Sequence, residues 1–375
     1  MRQGKVWVTG SSGQEQMVPE TLASAVYMDI SGGQSVADLL LAANLPNVRA
    51  FGAKGDGVAD DTAAINSCMA TIGNQGVVFF PPGTYRTTGI EVSDKDSLRM
   101  LGAGAVIKLA ENAAKPLMRI KNCPRLHMEG LTLDGNKAAQ TAELDALVLM
   151  HVYFSIINNC RIVNAKRDGL QVLTYTENGT FMGGDELHVA GCFIQSNGRH
   201  GVLVDSIADT NIDNNNIEFN GGNGMLVRCT SGVPSGNMNI TNNQILSNDL
   251  IGIECMDDTA RTVISQNHIR NNGGVGLRYV GGTQYLIANN NIHLNGRLYP
   301  YSAGVLIGYN GKGIVSGNHI SCTHFSPTQG YGIALYYSSD VTVLGNVMAD
   351  NLSAGIYTEG CSNIKIKTNI GANDN

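Results

Sequence analysis

One short phrase recurs along this chain from residue 160 onward. In outline it runs Asn or Cys, an apolar residue, Asn, two variable residues, Gly, and then alternating apolar residues. Copies include CRIVNAKRDGLQV (160–172), CFIQSNGRHGVLV (192–204), NIEFNGGNGMLV (216–227), QILSNDLIGIEC (244–255) and HIRNNGGVGLRY (268–279), and further copies fall at 291–307, 319–335 and 347–358. The glycines that mark them are Gly169, Gly201, Gly224, Gly252, Gly276, Gly304, Gly332 and Gly355, spaced 23 to 32 residues apart. A repeat on this scale means a stacked architecture. Helical repeats need apolar residues at a 3.6-residue period, and a leucine-rich repeat needs its Leu/Asn consensus at near-constant spacing; neither is present. Short apolar alternation is strand patterning.

Each copy therefore predicts one coil of a β-solenoid, with two or three short strands and loops of variable length. Stacking places equivalent residues ~4.8 Å apart. Inward Val, Ile and Leu then form columns, and Asn at the turns can bond the next coil as a ladder. No coil buries its apolar face alone, so stability comes from its neighbours. Parallel crossovers are right-handed. The expected fold is all-β, a right-handed parallel β-helix. The 46 glycines of 375 residues supply the tight turns it needs.

Composition narrows the partners. Charged residues make up 15% of the chain, the net charge is −6, and no Lys/Arg cluster occurs, which argues against nucleic acid and anionic membranes. No run of about 20 apolar residues predicts a membrane span. Eight cysteines occur without C-x-x-C or zinc-like spacing, so free, mostly buried thiols are expected, with no metal and no cofactor. The polar N-terminus carries no signal-peptide pattern, which predicts synthesis in the cytoplasm.

The segment FGAKGDGVADDTAAI, followed by VVFFPPGTYR, opens the repetitive region, and LTLDGN follows at 131–136. Asp60 and Asp61 are placed to cap a helix over 62–72. GVVFFPPGTYRTTGIEV reads as strand, turn, strand. These motifs closely resemble the pectate-lyase-like superfamily over residues 48–375. The resemblance implies a right-handed β-helix whose first coil is capped by that helix. Residues 1–47 form a lead-in, with a short helix expected at 34–43. Two branches look closest. Bacteriophage tailspike depolymerases imply a polysaccharide hydrolase or lyase on a virion surface or outside the cell, acting on bacterial surface or extracellular polysaccharide, with three chains side by side as a homotrimer. Alginate C5-epimerase modules are similar in NGRHGVLVD (197–205) and LTLDGN, and imply a uronate epimerase. Where that branch carries Tyr-Gly-Phe-Asp-Pro-His, this chain has Asp168-Gly169-Leu170-Gln171-Val172-Leu173, without the Tyr, Asp and His. A non-catalytic glycan-binding β-helix is the remaining alternative, since fold does not decide function.

Alternation sorts the candidate site residues. Positions one and three after each marker glycine should face inward, and positions two and four outward. Asp205, Arg228, Glu254 and Arg278 then come from four consecutive coils on one exposed face. With His200, an acid or base near neutral pH, they are the catalytic candidates. Asp205 and Glu254, two coils apart and thus about 10 Å along the axis, would suit inverting hydrolysis. A β-elimination would use Arg228 or Arg278 beside a uronate. Gln171, Asp168, Arg199, Tyr279, Tyr336 and Tyr357 are candidate substrate-binding residues, the tyrosines because sugar rings stack on aromatic faces. Loops at 176–186, 297–303 and 323–330 should flank the groove. Asp134 reads as a turn residue, and Asp56, Asp60 and Asp61 as turn and cap chemistry.

Overall fold

A computed structural model describes residues 5–9, 15–19, 46–232, 235–322 and 327–371. Lys5–Thr9 and Glu15–Pro19 pair as an antiparallel ribbon. The helix expected over 34–43 lies outside the described residues.

From Val48 onward the chain winds through three long parallel sheets of 11, 12 and 12 strands. One coil shows the path. Leu170–Leu173 lies in the first sheet, Asp185–Ala190 in the second and Phe193–Gln195 in the third, before Val202–Asp205 returns to the first. The two first-sheet strands are in register, Leu170 opposite Val202 and Leu173 opposite Asp205. The fold is the right-handed parallel β-helix that the phrase predicts.

The register explains why the phrase repeats. Ile162, Ile194, Ile217, Ile245, Ile269, Ile292 and Ile320 stand directly above one another in the third sheet, each fully buried. Burial of each is worth roughly 1.5–3 kcal/mol before entropy is charged against it. Two asparagine ladders flank this column. In one, the side-chain amide of Asn215 donates to the Oδ1 of Asn243 at 3.0 Å, and the pattern repeats through Asn267, Asn290, Asn318 and Asn346. In the other, Asn197, Asn220, Asn248, Asn272 and Asn295 are linked the same way. Each amide also donates to a backbone carbonyl, and each Oδ1 also accepts a backbone N–H, so the buried polar groups are satisfied.

The helix Thr62–Thr71 covers the N-terminal coil with Ile65, Cys68 and Met69. It ends one residue before the expected Ile72. Asp60 accepts the Thr62 N–H at 3.0 Å. Asp61 does not cap: its buried carboxylate takes the N–H groups of Lys54 and Gly55 and fastens the preceding loop. Asp134 holds a turn by accepting the Asn136 N–H, and Asn136 adopts a left-handed φ of 49°. No two cysteines are bridged, and Cys68, Cys123, Cys160, Cys192, Cys255 and Cys322 are buried.

Candidate functional site

The outer face of the first sheet carries two columns. The position-two column includes Gln171, Leu203, Leu226, Glu254, Arg278 and Leu306. The position-four column includes Leu173, Asp205, Arg228, Val280, Gly308 and Tyr336. The four charged candidates thus fall into two pairs, one per column. Arg228 Nε lies 2.8 Å from Asp205 Oδ2 on the adjacent rung, and Arg278 Nη1 lies 2.6 Å from Glu254 Oε1. Asp205 also accepts from the Thr230 hydroxyl and backbone N–H. Burial raises the Asp205 pKa, but these hydrogen bonds and the guanidinium outweigh it and hold the carboxyl below its ordinary value.

These carboxylates are not exposed, contrary to the expectation from alternation. Asp205 is 5% and Glu254 7% accessible. They point outward, yet the paired groups of neighbouring rungs close over them.

A second set of pairs runs along the corner that leads into the sheet. Arg167 grips Asp145 through Nε at 2.8 Å and Nη2 at 2.5 Å. Arg199 grips Asp168 in the same two-pronged way. Gln171 donates to Asp168 at 2.6 Å. Asp168 and Gln171 are thereby 0% and 4% accessible, so neither is an open substrate ligand as expected; Asp168 holds Arg199, and Gln171 holds Asp168. Burial pushes the Asp168 carboxyl up, and bonds from Arg199, Gln171 and the His200 backbone more than offset it, leaving it lowered.

The corner residues form a relay of acceptors. Asp145 accepts the Asp168 N–H, Asp168 the His200 N–H, His200 Nδ1 the Asn223 N–H, and Asn223 Oδ1 the Ile251 N–H. Asn223 also donates to Glu254 at 2.7 Å, joining the corner to the sheet. His200 Nδ1 is therefore unprotonated and Nε2 carries the proton. Burial, reinforced by Arg199 and Arg228, pushes the His200 pKa down to about 4, so it does not titrate near neutrality as the sequence reading expects.

Tyr279 requires a correction as well. It is fully buried, donates to the Thr259 carbonyl at 3.0 Å and packs on Tyr285 at 4.5 Å. It follows Gly276 by three positions, which is an inward place, so it cannot stack on a sugar. Tyr336 and Tyr357 are partly exposed on the outer face, with ring centroids 5.6 Å apart. The expected loop at 176–186 is largely a hairpin, Tyr175–Glu177 with Thr180–Met182, tied to the sheet by Lys121 and Glu177 at 2.7 Å. Beside it lies a cavity of about 460 Å³ lined in part by His151, Tyr153, Phe181, Asp185 and Ser206. At 297–303 the loop is anchored by Arg297 to Asp249 at 2.8 Å, and residues 323–326 lie outside the described set.

Asp145 belongs to a coil that lacks the marker glycine. It precedes Ala146, which stands where later coils carry the marker glycine, and Leu147 is in register with Leu170. A search keyed to glycine passes over that coil.

A sequence profile described as rhamnogalacturonase A/epimerase, pectate lyase-like, matches residues 45–299, well over half of the chain. This chain belongs to the rhamnogalacturonase A/epimerase, pectate lyase-like family. A right-handed β-helix profile matches residues 252–375 as well. Among curated members of known proteins, mannuronan C5-epimerase AlgE6 of Azotobacter vinelandii is 38% identical over 116 residues, which is 26% of this chain and 13% of that enzyme. The chain therefore spans only a small part of the curated relatives it matches. The solved A-module of the same epimerase superposes with a TM-score of 0.68 at 21% identity, over 88% of this chain and 100% of the module. The Dettilon tailspike protein superposes with a TM-score of 0.58 at 17% identity, over 93% of this chain and 66% of the tailspike. At these identities the structural likenesses establish the fold.

Proposed function

We propose that this pectate lyase-like chain binds and depolymerises an acidic polysaccharide laid along the outer face of its first sheet. The observation that carries this reading is a set of four carboxylate-anchored arginines, Arg167 and Arg199 on the corner that leads into the first sheet and Arg228 and Arg278 on its outer face. Arg167, Arg199, Arg228 and Arg278 are each anchored by a buried carboxylate, and the four side chains are 36%, 44%, 36% and 38% accessible. A guanidinium stays protonated in proteins, so these groups can neutralise uronate carboxylates but cannot take a proton. Neutralising a uronate makes its C5 proton easier to remove, the first step of elimination and of epimerisation; in this reading solvent hydroxide takes that proton, and in elimination the C4–C5 double bond forms as the C4–O bond breaks, the leaving oxygen being protonated by water. Hydrolysis needs a carboxyl kept protonated. Asp168 and Asp205 are buried and bonded to Arg199 and Arg228, so neither is free to protonate a leaving sugar oxygen, and the reading takes elimination as the preferred chemistry.

In this reading Arg228 and Arg278 neutralise the uronate, and Asp205, Glu254, Asp168 and Gln171 fix the arginines. His200 donates from Nε2 to a sugar oxygen. Tyr336 and Tyr357 supply ring faces. Similarity to a mannuronan epimerase and a tailspike protein supports a bacterial surface or extracellular polysaccharide as partner, met outside the cell or at a virion surface, by one chain or by three.

Non-catalytic binding is the second reading. It is favoured by one observation: the carboxylates of the set are tied to arginines, and Nδ1 of His200 is already occupied. Digestion of a panel of mannuronan, alginate and bacterial capsular polysaccharides separates these outcomes. Absorbance at 235 nm reports elimination. New reducing ends without it report hydrolysis and overturn the preferred chemistry. Deuterium incorporation from D₂O without cleavage reports epimerisation. Binding without any product supports the second reading, and no binding to any glycan sinks both.

A further inference from the structure

The turn that leaves the first sheet needs a residue with left-handed backbone on each of four successive rungs. Gly281, Tyr309, Tyr337 and Gly360 occupy these places, with φ of 73°, 53°, 48° and 62°. Their equivalence follows from the ladder: Gly281 N–H donates to Gly308, Tyr309 N–H to Tyr336, and Tyr337 N–H to Glu359. Glycine meets the requirement without strain, and bulky side chains meet it poorly. The two inner rungs nonetheless carry tyrosine.

Both rings stand in solvent, Tyr309 67% and Tyr337 51% accessible. They stack on each other, with centroids 5.3 Å apart and planes 16° from parallel. One end of the stack is closed. A Cβ placed on Gly360 would lie 2.4 Å from the Tyr337 ring, so that ring rests on the Gly360 backbone. At the other end there is room. Gly281 has no side chain, and a Cβ built there would meet nothing nearer than 3.7 Å. Beside it in the position-four column the Val280 side chain lies against Gly308, 3.4 Å from where a Cβ on that glycine would stand. The result is a notch one rung wide, floored by the backbone of Gly281 and bounded on the next rung by Tyr309.

We infer that this notch is a secondary saccharide subsite, in which the C–H face of one pyranose ring stacks on Tyr309 above Gly281. Such a face is apolar while its hydroxyls stay solvated, which suits an exposed aromatic ring beside bare backbone. The exposed Asp257 lies on the rung before Gly281, where a carboxylate can accept from sugar hydroxyls. The subsite rests on the proposed polysaccharide function, and it lies on coils that follow Arg278 toward the C-terminus. It is recognised by stacking, so it tolerates neutral sugars as well as uronates.

Calorimetric titration with mannuronan oligosaccharides of increasing length, and with capsular oligosaccharides carrying neutral sugars, tests it. Tyr309→Ala is expected to weaken the longest ligands about tenfold, leave the shortest unchanged, and raise KM without lowering kcat. Tyr309→Phe keeps the ring and should bind within twofold of the parent. Gly281→Asn tolerates the left-handed backbone and fills the notch, so it should reproduce the Tyr309→Ala loss. Equal affinity of Tyr309→Ala and the parent for every length overturns the subsite while leaving the role of the arginines intact, provided that Arg228→Gln still loses binding. If the parent chain binds no glycan, both proposals fall together.

Discussion

Asp205 and Arg228 face each other across adjacent rungs of the first sheet, the guanidinium Nε 2.8 Å from a carboxylate that is only 8% accessible in its side chain. The acid is buried and the base is half open, so the pair presents positive charge outward while its counter-charge stays inside.

Removing Arg228 leaves that buried carboxylate short of a partner. Arg228→Met should lower unfolding stability by about 1–3 kcal/mol, the range for a buried group losing a charged hydrogen bond, with the arginine's solvent exposure keeping it from being larger. Arg228→Lys should recover part of it. Urea denaturation reads the stability. Titration with mannuronan oligosaccharides at rising salt reads the charge contribution, which should shrink in the variant.

Asp168 and Asp205 have folded pKa values below those of the unfolded chain. Their contribution to stability is complete above the unfolded carboxylate pKa of about 3.9 and is lost as pH falls through the lower folded values. The melting temperature should therefore fall steeply below about pH 4. Asp168→Asn should be less stable at pH 7 and show a shallower acid limb. An acid limb of unchanged slope would exclude Asp168 as a contributor.

His200 moves the other way in charge. Its folded pKa is about 4, against about 6.5 when unfolded. Between those values the unfolded chain binds more protons, so His200 adds to stability at pH 7 and the gain declines as pH falls through that window. A histidine-selective NMR titration should find this ring neutral at pH 5 with the proton on Nε2. A midpoint near 6.5 would refute the buried acceptor role.

Asn248 sits mid-ladder, donating to Ile217 O and Asn272 Oδ1 and accepting from the backbone and side chain of Asn220. Asn248→Ala strips four bonds from a dry interior. A loss of about 3 kcal/mol or more is expected, measured by chemical denaturation. Asn242, exposed at the adjoining turn and bonded to Asp213, should cost far less when replaced by Ala.

Much of this architecture is legible in the sequence. The repeated isoleucine, asparagine and glycine become a column, a ladder and a turn because each rung meets its copy in register. The outer face is harder to read. Alternation says that Asp205 and Glu254 point away from the core, but their burial depends on an arginine one rung later, which spacing alone does not reveal. Tyr279 sits three residues after Gly276, an inward position, so alternation places its ring in the core even though its aromatic character suits a sugar. The Asp145–Asp168–His200–Asn223 relay uses three residue types for one task, accepting a backbone N–H, so no repeated letter announces it.

The ladders have a consequence for how such a protein can change. A one-residue insertion inside a strand would turn the inward residues beyond it in that strand to solvent, whereas exchange of a whole turn, such as the stretch from Gly252 to Gly276, would re-form the ladder bonds at the new junction. Variation in this molecule is quantised: its wall grows or shrinks by complete steps, each bringing its own outward pair of side chains.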